Sequence, residues 1–467
     1  MPRLDPLSIH KYLPRTNCKK CGQATCLAFA TKLMARENVV EDCTPLIEEA
    51  QYAEQLQNLR DLMTPPVNGV KIGKKNVTEI GAEEVLHRHE LTFFNQTSIA
   101  LTVHDKMNET AFAGKVKYAH DFVISRIGDH LKLDHVCIRS VSNDPHTFKD
   151  YVQAAREITD LSFILASYNP DVLRAGLEID APNRPLIYAA TKDNWREVGA
   201  LATEFQVPVV VSAPNDLNEL ASLAKVFHNA GLSIVLDPGT FFKNGGLGVT
   251  LRNFVALRRA AIVDENKILG YPILANPAAI WSQNGGDPKE LANQESLISS
   301  LLMSRYADIL IMNSDQVWSI LPVITLRQSI FTDPRIHPSV DAGLYEVGTP
   351  TPESPVMITT NFKLTWFTVK VDLENLKIPF YALVIDTEGI GVEASVAGGQ
   401  LTTDKIAELM EETKVAEKVN HKKLIIPGLA ARLQGELEDA TGWEVIVGTK
   451  DSSDINKIEI IQDLLKK

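Results

Sequence analysis

The stretch "PLIYAATKDNWREVGALATEFQVPVVVSAPNDLNELASLAKVFHNAGLSIVLD", residues 185–237, sets the pattern of this chain. It contains three short apolar runs, PLIYAA (185–190), VPVVVS (207–212) and LSIVLD (232–237). The segments between them, DNWREVGALATEF and DLNELASLAKVFHNA, have helical patterns. Strands that are apolar throughout indicate a parallel sheet that is buried on both faces, so the stretch predicts a repeating strand–helix unit.

The same unit recurs on both sides of this stretch. Five further runs of the same kind are SIALTV (98–103), DHVCIRS (134–140), LSFILA (161–166), YPILAN (271–276) and ADILIM (307–312). Eight strands that alternate with helices are typical of a (β/α)8 TIM barrel, which we place at residues 77–326. A doubly wound open sheet is the alternative, and the count of eight favours the barrel.

Polar residues follow several of these strands, at the end of the barrel where enzymes of this fold carry their chemistry. They are His104, Asp105, Arg139, Ser140, Lys192, Asp193, Asp237 and Asn313. They do not make up a recognisable catalytic set, and the sequence contains neither an H-E-x-x-H nor a G-x-S-x-G motif. The sequence therefore assigns no catalytic side chain to the barrel.

Composition narrows the function classes. The chain has 467 residues and a formal net charge of -12, which argues against a nucleic-acid surface because phosphate binding needs clustered Lys and Arg. The start, MPRLDPLSIHKYLPR, lacks the apolar core of a signal peptide, and the apolar runs are far shorter than the roughly 18 residues of a membrane span. These features predict a soluble, cytoplasmic protein of several domains.

Four of the five cysteines lie in NCKKCGQATCLAFATKLMARENVVEDC, residues 17–43, within a predicted small domain of residues 1–60. Their spacing is C-x2-C-x4-C-x16-C, formed by Cys18, Cys21, Cys26 and Cys43. In a reducing compartment such a group is more often a metal site than a disulfide framework. Structural zinc sites usually present two C-x2-C pairs, so the spacing favours a [4Fe-4S] cluster and leaves zinc open. Cys137 lies in an apolar strand and is predicted to be a buried core thiol.

The remainder of the chain predicts a second α/β unit. Residues 327–356 hold five prolines and no clear period, which indicates a linker or an extended arm, and residues 60–76 and 330–356 are candidate hinges. In residues 357–467 we predict strands at LTWFTVKV, IPFYALVIDT, KKLIIPG and WEVIVG, and helices at TTDKIAELMEETKVAEKV, LAARLQGELEDATG and from residue 454 onward. This is an open, Rossmann-like α/β domain. The G-x-G-x-x-A match GIGVEA (389–394) is weak for a dinucleotide, because the residues after Gly391 alternate like a strand.

Three segments taken together resemble a known family. They are LPRTNCKKCGQATCLAFA (13–30), PVMITTNFKLTWFTV (355–369) and EDATGWEVIVGTKDSSDI (438–455), in this order. With the domain order they resemble the large (gamma) subunit of the corrinoid iron–sulfur proteins of the acetyl-CoA decarbonylase/synthase system. The resemblance covers the whole chain.

The resemblance implies two cofactors. Cys18, Cys21, Cys26 and Cys43 would ligate one [4Fe-4S] cluster. The C-terminal domain would bind a corrinoid through Thr359, Thr360, Asn361, Phe362, Lys363, Leu364, Thr365, Gly389, Gly398, Gly399, Gly428 and Leu429. Its cobalt would be base-off, without a histidine as lower ligand. The sequence agrees with this, because it lacks the D-x-H-x-x-G motif, of which DPHTFK (144–149) is the nearest match.

The resemblance also implies a function and partners. The protein would be a corrinoid-dependent methyltransferase component in the acetyl-CoA (Wood–Ljungdahl) pathway of carbon fixation or in methanogenesis. It would carry a methyl group from a methyl-tetrahydropterin to the nickel site of acetyl-CoA synthase, while the cluster reduces inactive Co(II) to Co(I). Its partners would be a homologous small (delta) subunit in a heterodimer, a methyltransferase, acetyl-CoA synthase/CO dehydrogenase and an electron donor such as ferredoxin.

Two alternatives remain open on the residues alone. One is a barrel methyltransferase that binds the pterin itself, without its own corrinoid, for which Asp237 or Asn313 could supply the polar contacts. The other is a non-catalytic scaffold with a structural zinc at the four cysteines.

Overall fold

The structure is a computed structural model that describes residues 5–283, 286–459 and 461–462. The chain forms two compact units. The first comprises the described residues up to Phe122 together with Leu133–Arg327, and the second comprises Val123–Lys132 together with the described residues from Gln328 onward. The predicted division of the chain into four parts, at residues 60, 77, 327 and 357, stays a prediction.

The first unit begins with a small helical layer that has its own apolar core. Its helices are α1 (Pro6–His10), α2 (Cys26–Met34), α3 (Thr44–Glu48) and α4 (Ala53–Met63), with 3-10 turns at Val40–Asp42 and Ala50–Tyr52. The Thr25 hydroxyl accepts from the backbone N–H of Ala28 and so caps α2. Phe29, Leu33 and Leu59 are buried together in this layer.

The segment after this layer, which includes the candidate hinge at residues 60–76, contains regular structure. Strands β1 (Gly69–Ile72) and β2 (Thr78–Gly81) form an antiparallel hairpin. Every second residue of β1 points inward, and Val70, Ile72 and Ile80 are buried in the core of the barrel. The Pro, Gly and Lys content of residues 64–76 marks the ends and the turn of a hairpin rather than a free linker.

A barrel of eight parallel strands follows, and it confirms the predicted fold. In chain order the strands up to residue 312 are β3 (Ser98–His104), β4 (Val123–Arg126), β5 (Asp129–Lys132), β6 (His135–Arg139), β7 (Ser162–Ala166), β8 (Leu186–Ala190), β9 (Val209–Ser212), β10 (Ile234–Asp237), β11 (Leu274–Ala275) and β12 (Ile309–Met312). β4 and β5 form a separate antiparallel hairpin, and the other eight run in the order β10-β9-β8-β7-β6-β3-β12-β11. A parallel bridge between Leu236 and Ile273 closes the ring, so the doubly wound alternative is wrong for this part of the chain.

Helices surround the barrel in the expected alternation. They are α5 (Glu109–Asp121), α6 (Pro145–Ile158), α7 (Pro170–Asp180), α8 (Trp195–Phe205), α9 (Leu217–Asn229), α10 (Gly246–Ile262), α11 (Ile280–Gln283), α12 (Pro288–Met303) and α13 (Val317–Ile330). Side chains of Asn108, Asp144 and Asp216 cap the first turns of three of them. No helix among the described residues is long and apolar enough to cross a membrane.

The second unit is an open α/β layer, as predicted. Its strands are β13 (Gly343–Val347), β14 (Val356–Thr360), β15 (Phe380–Ile385), β16 (Lys423–Ile426) and β17 (Glu444–Val447), in the order β13-β15-β14-β16-β17. β13 is antiparallel and the other four are parallel. Its helices are α14 (Lys363–Leu376), α15 (Val392–Gly398), α16 (Thr403–Glu412), α17 (Val415–Lys418) and α18 (Gln434–Thr441), with 3-10 turns at Gly428–Leu433 and Ser452–Lys457.

Two secondary-structure predictions in this unit are wrong. LTWFTVKV is part of helix α14, in which Trp366 and Leu373 are buried seven residues apart on one face. GIGVEA leads directly into a helix, because α15 begins at Val392. The predicted arm contains strand β13, which pairs with β15. Of the predicted C-terminal helix, residues 454–457 form a 3-10 turn, and part of the segment lies outside the described residues.

Candidate cofactor sites

The four clustered cysteines line one pocket. Cys18 and Cys21 lie in the loop before α2, Cys26 is the first residue of that helix, and Cys43 lies between the 3-10 turn and α3. Cys26 and Cys43 are buried, whereas Cys18 is exposed, so the pocket is open on the side of Cys18.

The loop that carries Cys18 and Cys21 has an unusual backbone. Asn17, Lys19 and Gly22 adopt positive φ values of 47°, 61° and 77°. Asn17 also accepts a hydrogen bond from the Cys26 backbone N–H at 2.8 Å, which ties the loop to the start of α2. Turns that contain left-handed residues can gather backbone N–H groups into a concavity that suits an anionic group.

The thiols are close enough to influence one another. Burial raises the pKa of the Cys43 thiol, and the neighbouring thiols of Cys21, Cys26 and Cys18 act in the same direction. The backbone N–H of Lys20 and the hydroxyl of Thr16 lower the pKa of the exposed Cys18. Within the described part of the chain, no three His, Cys, Asp or Glu side chains have the geometry to hold a single metal ion.

Cys137 lies away from this group. It is fully buried on β6 and packs with Ala100 and Ile164 in the core of the barrel, which confirms the predicted core thiol. Burial raises the pKa of its thiol to about 12.

The second unit holds a larger pocket, with a cavity volume of about 310 Å³. It lies at the carboxyl ends of the parallel strands β14, β16 and β17, which is where open α/β sheets bind ligands. Four of the residues predicted to contact a cofactor line it: Thr359, Leu364, Thr365 and Leu429.

Two hydroxyls at the end of β14 lack hydrogen-bond partners among the described residues. Thr359 and Thr360 are both buried, and their hydroxyl oxygens find no hydrogen-bond partner among the described residues. A buried hydroxyl without a partner costs about 1–3 kcal/mol, and proteins usually keep such a group for a function. Thr359 belongs to the wall of the pocket, where its hydroxyl is buried.

The Asn361 side chain is hydrogen-bonded within the protein. Its carbonyl oxygen accepts from the backbone N–H groups of Thr387 and Gly389 and from the Thr387 hydroxyl, each at 3.0 Å. Its amide group donates to Asp386 at 3.0 Å. Asn361 therefore fixes the loop that follows β15, and it does not line the pocket.

The other predicted contacts shape loops near the strand ends. Gly428 is needed for close packing, because a Cβ there would lie 2.8 Å from the Gly448 carbonyl oxygen. Gly389 and Gly399 have positive φ values, and Gly398 ends α15 next to Gln400. Phe362 precedes α14, and the Lys363 ammonium lies 2.9 Å from an Asp129 carboxylate oxygen.

Several pocket residues were not predicted. Gly448, Thr449, Lys450, Asp451 and Ser452 follow β17 and form one side of the pocket. The sequence signal that could have identified them is a short strand that ends in glycine and is followed by polar residues. The same pattern led to the prediction of Gly428. His421 is half-buried outside this pocket, where its Nε2 lies 3.0 Å from the Ser354 carbonyl oxygen.

Asp105 lies at a strand end of the barrel and is hydrogen-bonded within the protein. Both oxygens of Asp105 accept hydrogen bonds, from the Ser140 hydroxyl at 2.9 Å and from the Val141 backbone N–H at 2.7 Å. Those bonds join the ends of β3 and β6, and His104 and Arg139 face each other in the register of the same strands. Lys192 and Asp193 are exposed in the turn before α8.

Asp237 and Asn313 are likewise engaged. Asp237 accepts from the Tyr188 hydroxyl at 2.8 Å, the Ser212 hydroxyl at 2.9 Å and the Gly239 backbone N–H at 2.9 Å. Burial raises the pKa of the Asp237 carboxyl. The Asn313 side chain accepts from the Lys115 ammonium at 3.1 Å.

Comparison with known proteins gives two family matches. A family model described as "CO dehydrogenase/acetyl-CoA synthase delta subunit" matches residues 69–459. A second model, described as "Putative Fe-S cluster", matches residues 13–45, which include all four clustered cysteines.

Full-length relatives match nearly the whole chain. A protein named "Acetyl-CoA decarbonylase/synthase complex subunit gamma 1" from Methanosarcina thermophila is 48% identical, over 96% of this chain and 97% of the relative. A gamma subunit of the same complex from Archaeoglobus fulgidus is 43% identical over 96% of both chains. Among solved structures, a dihydropteroate synthase from Xanthomonas albilineans covers 51% of this chain and 94% of its own, at 16% identity and a TM-score of 0.39.

Proposed function

The chain belongs to the gamma-subunit family of the acetyl-CoA decarbonylase/synthase complex, and on that premise we propose that it is a methyl carrier with an iron–sulfur cluster and a corrinoid. The observation that carries the proposal is the match to gamma subunits over 96% of the chain. Two pockets of different chemistry, one lined by thiols and one at the carboxyl ends of parallel strands, support it.

The proposed ligands of the [4Fe-4S] cluster are Cys18, Cys21, Cys26 and Cys43. Their common pocket supports this, and so does the left-handed loop, whose backbone N–H groups suit the negative charge of a thiolate-bound cluster. The match of residues 13–45 to the family model described as "Putative Fe-S cluster" favours the cluster over zinc.

The proposed corrinoid site is the pocket at the ends of β14, β16 and β17. Thr359 would contact the polar groups of the ligand, while Leu364, Thr365 and Leu429 would pack against its apolar face. Thr360 is buried next to Thr359 at the end of β14 and would support this wall. Gly428 would keep the adjacent loop close enough to form the wall. Asn361, Phe362, Lys363, Gly389, Gly398 and Gly399 would hold the surrounding loops in place.

A lower ligand from a histidine is not part of this proposal. The described residues that line the pocket include no histidine, and His421 is hydrogen-bonded elsewhere. The proposed corrinoid is base-off, as the family resemblance implies.

The cofactors define the chemistry that the protein would serve. When bound, the corrinoid supplies a cobalt that accepts a methyl group from a methyl-tetrahydropterin and passes it to the nickel site of acetyl-CoA synthase, and the cluster supplies the electron that restores inactive Co(II) to Co(I). The residues of this chain would orient the corrinoid and exclude water from one of its faces. The proposed partners are the delta subunit, the methyltransferase, acetyl-CoA synthase/CO dehydrogenase and a ferredoxin-like donor, and the proposed location is the cytoplasm.

The pterin-binding barrel is the weaker reading. Asp237 has both oxygens occupied by hydroxyl and backbone donors, and Asn313 is held by Lys115. A pterin would have to displace those internal bonds.

The visible spectrum of anaerobically purified protein tests the proposal. We expect corrinoid bands together with the broad absorbance of an iron–sulfur cluster at about 400 nm. A colourless protein that contains zinc would contradict it.

The Cys26→Ala variant separates the two cofactors. We expect it to lose reductive reactivation by a low-potential donor, while methylated protein still donates its methyl group, because the cysteines and the corrinoid pocket lie in different compact units. Reactivation at the wild-type rate would refute the role of the cluster.

A further inference from the structure

A hairpin whose sequence interrupts the barrel belongs structurally to the second unit. Strands β4 and β5 fall between two barrel strands in the sequence, yet residues Val123–Lys132 group with the C-terminal residues. Ile127 and Gly128 form its turn with φ values of 50° and 78°, as a tight two-residue hairpin requires.

Polar contacts join this hairpin to helix α14 and to Gln328 of the second unit. One Asp129 carboxylate oxygen lies 2.9 Å from the Lys363 ammonium on α14. The other accepts from the Gln328 side chain at 2.8 Å, near the end of α13. The Gln328 amide also donates to the Arg126 carbonyl oxygen at 3.0 Å, so the turn is held from two sides.

Gly128 completes the attachment through close packing. A Cβ at this position would lie 2.1 Å from the Phe367 ring. The ring therefore rests directly on the backbone of the turn. Lys363 and Phe367 are four residues apart and share one face of α14, which is the face that meets the hairpin.

Another face of the same helix lines the large pocket. Leu364, Thr365, Thr368 and Val369 are all part of its wall. The first turn of α14 thus stands between the hairpin and the pocket, and its position sets the position of two proposed corrinoid contacts.

The first turn of α14 is stabilised by a residue outside the helix. Among the described residues no side chain caps it, since the N-cap is Phe362, and Lys363 places a positive charge in the first turn. A cation is unfavourable at the positive end of a helix, and an acidic group there is favourable. The Asp129 carboxylate supplies that acidic group.

We propose that Asp129 is a positioning residue of the C-terminal pocket: through Lys363 it holds the first turn of α14, and with it Leu364 and Thr365, in the geometry that binds the ligand. This inference rests on the proposed corrinoid function for the identity of the ligand. Its structural part, the dependence of the first turn of α14 on Asp129, does not.

The test combines amide hydrogen exchange with ligand binding on the full-length chain. In ligand-free Asp129→Asn we expect faster exchange in residues 364–369 than in the wild type. We also expect cobinamide, the probe ligand, to bind about fivefold more weakly in equilibrium dialysis, as suits a half-exposed ion pair. In a Lys363→Met background, Asp129→Asn should add little to either effect, because its partner is already absent.

Glu346→Gln is the matched control, because it removes the Lys418–Glu346 ion pair in the same unit outside the pocket. It should leave both readouts unchanged. Wild-type exchange in residues 364–369 of Asp129→Asn would overturn the inference, as would unchanged cobinamide affinity in a variant with faster exchange. If the wild type does not bind cobinamide, the proposed function fails, and the exchange measurement still decides the role of Asp129.

Discussion

The barrel and the C-terminal sheet both present the carboxyl ends of parallel strands, and two carboxylates at the barrel ends differ from two threonines at the end of β14. In the barrel, Asp105 and Asp237 have their oxygens occupied by neighbouring hydroxyl and backbone donors. At the end of β14, the hydroxyls of Thr359 and Thr360 have no partner within the described residues.

This difference distinguishes polar groups that stabilise the fold from polar groups that we propose to bind a ligand. Polar groups that are satisfied within the protein hold strand ends together, whereas buried groups without partners lower stability unless a ligand satisfies them. The polar groups at the carboxyl ends of the strands thus stabilise the fold of the barrel. In our proposal, those of the second unit bind a ligand.

Gly428→Ala should have the largest effect on the proposed site. Its Cβ would meet the backbone of Gly448, Thr449 and Lys450 at 2.8–2.9 Å, and that loop forms a wall of the pocket. Overpacking costs about 1–3 kcal/mol, so we expect cobinamide affinity to fall by up to about a hundredfold in equilibrium dialysis.

Gly435→Ala is the control for this change. Gly435 lies in α18, and a Cβ there would meet nothing within 4 Å in the described part of the chain. Affinity should stay at the wild-type value. Equal losses in the two variants would mean that Gly428 acts through general stability.

Asp237→Ala should destabilise the barrel without affecting the ligand. It leaves the Tyr188 and Ser212 hydroxyls and the Gly239 N–H without their acceptor. We expect the free energy of unfolding to fall by about 3 kcal/mol in urea titrations, with unchanged corrinoid content per folded chain. A stable variant that fails to accept methyl groups would instead assign the barrel mouth to a substrate.

Thr359→Val should change stability and binding in opposite directions. Because the hydroxyl has no partner among the described residues, its loss should raise the stability of the ligand-free protein by up to about 1 kcal/mol. Cobinamide affinity should fall about fivefold, because the ligand loses a hydrogen bond.

Thr387→Val is the matched variant, since the Thr387 hydroxyl is buried and bonded to Asn361 and to the Ile390 carbonyl oxygen. It should lower stability in ligand-free protein. If Thr359→Val is destabilising to the same extent, the hydroxyl of Thr359 has an internal partner and the contrast is wrong.

The pH dependence of two barrel carboxylates gives the smallest effect. Burial alone would raise the pKa of Asp105, but its hydrogen bonds from Ser142, Val141 and Ser140 outweigh burial and lower that pKa below 3.8. Its contribution to stability is therefore complete above that value and is lost only as the pH falls through the lower, folded-state pKa. Burial raises the pKa of Asp237, so the folded protein gains stability from this group as the pH falls through the raised pKa.

Urea titrations between pH 7 and about pH 4 check these signs. The stability difference between the wild type and Asp105→Asn should stay constant in this window. The difference between the wild type and Asp237→Asn should grow as the pH falls. If the stability difference changed for Asp105→Asn and stayed constant for Asp237→Asn, the environments assigned to the two carboxylates would be wrong.

Much of the fold could be predicted because its signals are local. Each barrel strand is a continuous apolar run between polar turns, as in VPVVVS, and burial on both faces leaves few other readings. The cysteine group was visible for the same reason, since sulfur ligands are rare and closely spaced.

The errors arose where tertiary contacts decide. LTWFTVKV has the β-branched and aromatic residues of a strand, yet it forms a helix because Trp366 and Leu373 are both buried on one face. The hairpin of residues 123–132 and the wall at residues 448–452 are assembled from distant parts of the chain. Spacing along the sequence carries no record of such pairings.

The most direct test is to locate the metals by anomalous X-ray scattering at the cobalt and iron edges, with crystals of anaerobically isolated protein. Our account predicts a cobalt peak in the pocket beside Thr359 and Leu364, and an iron peak among Cys18, Cys21, Cys26 and Cys43. A cobalt peak at the barrel mouth beside Asp237, or zinc among the four cysteines, would contradict it.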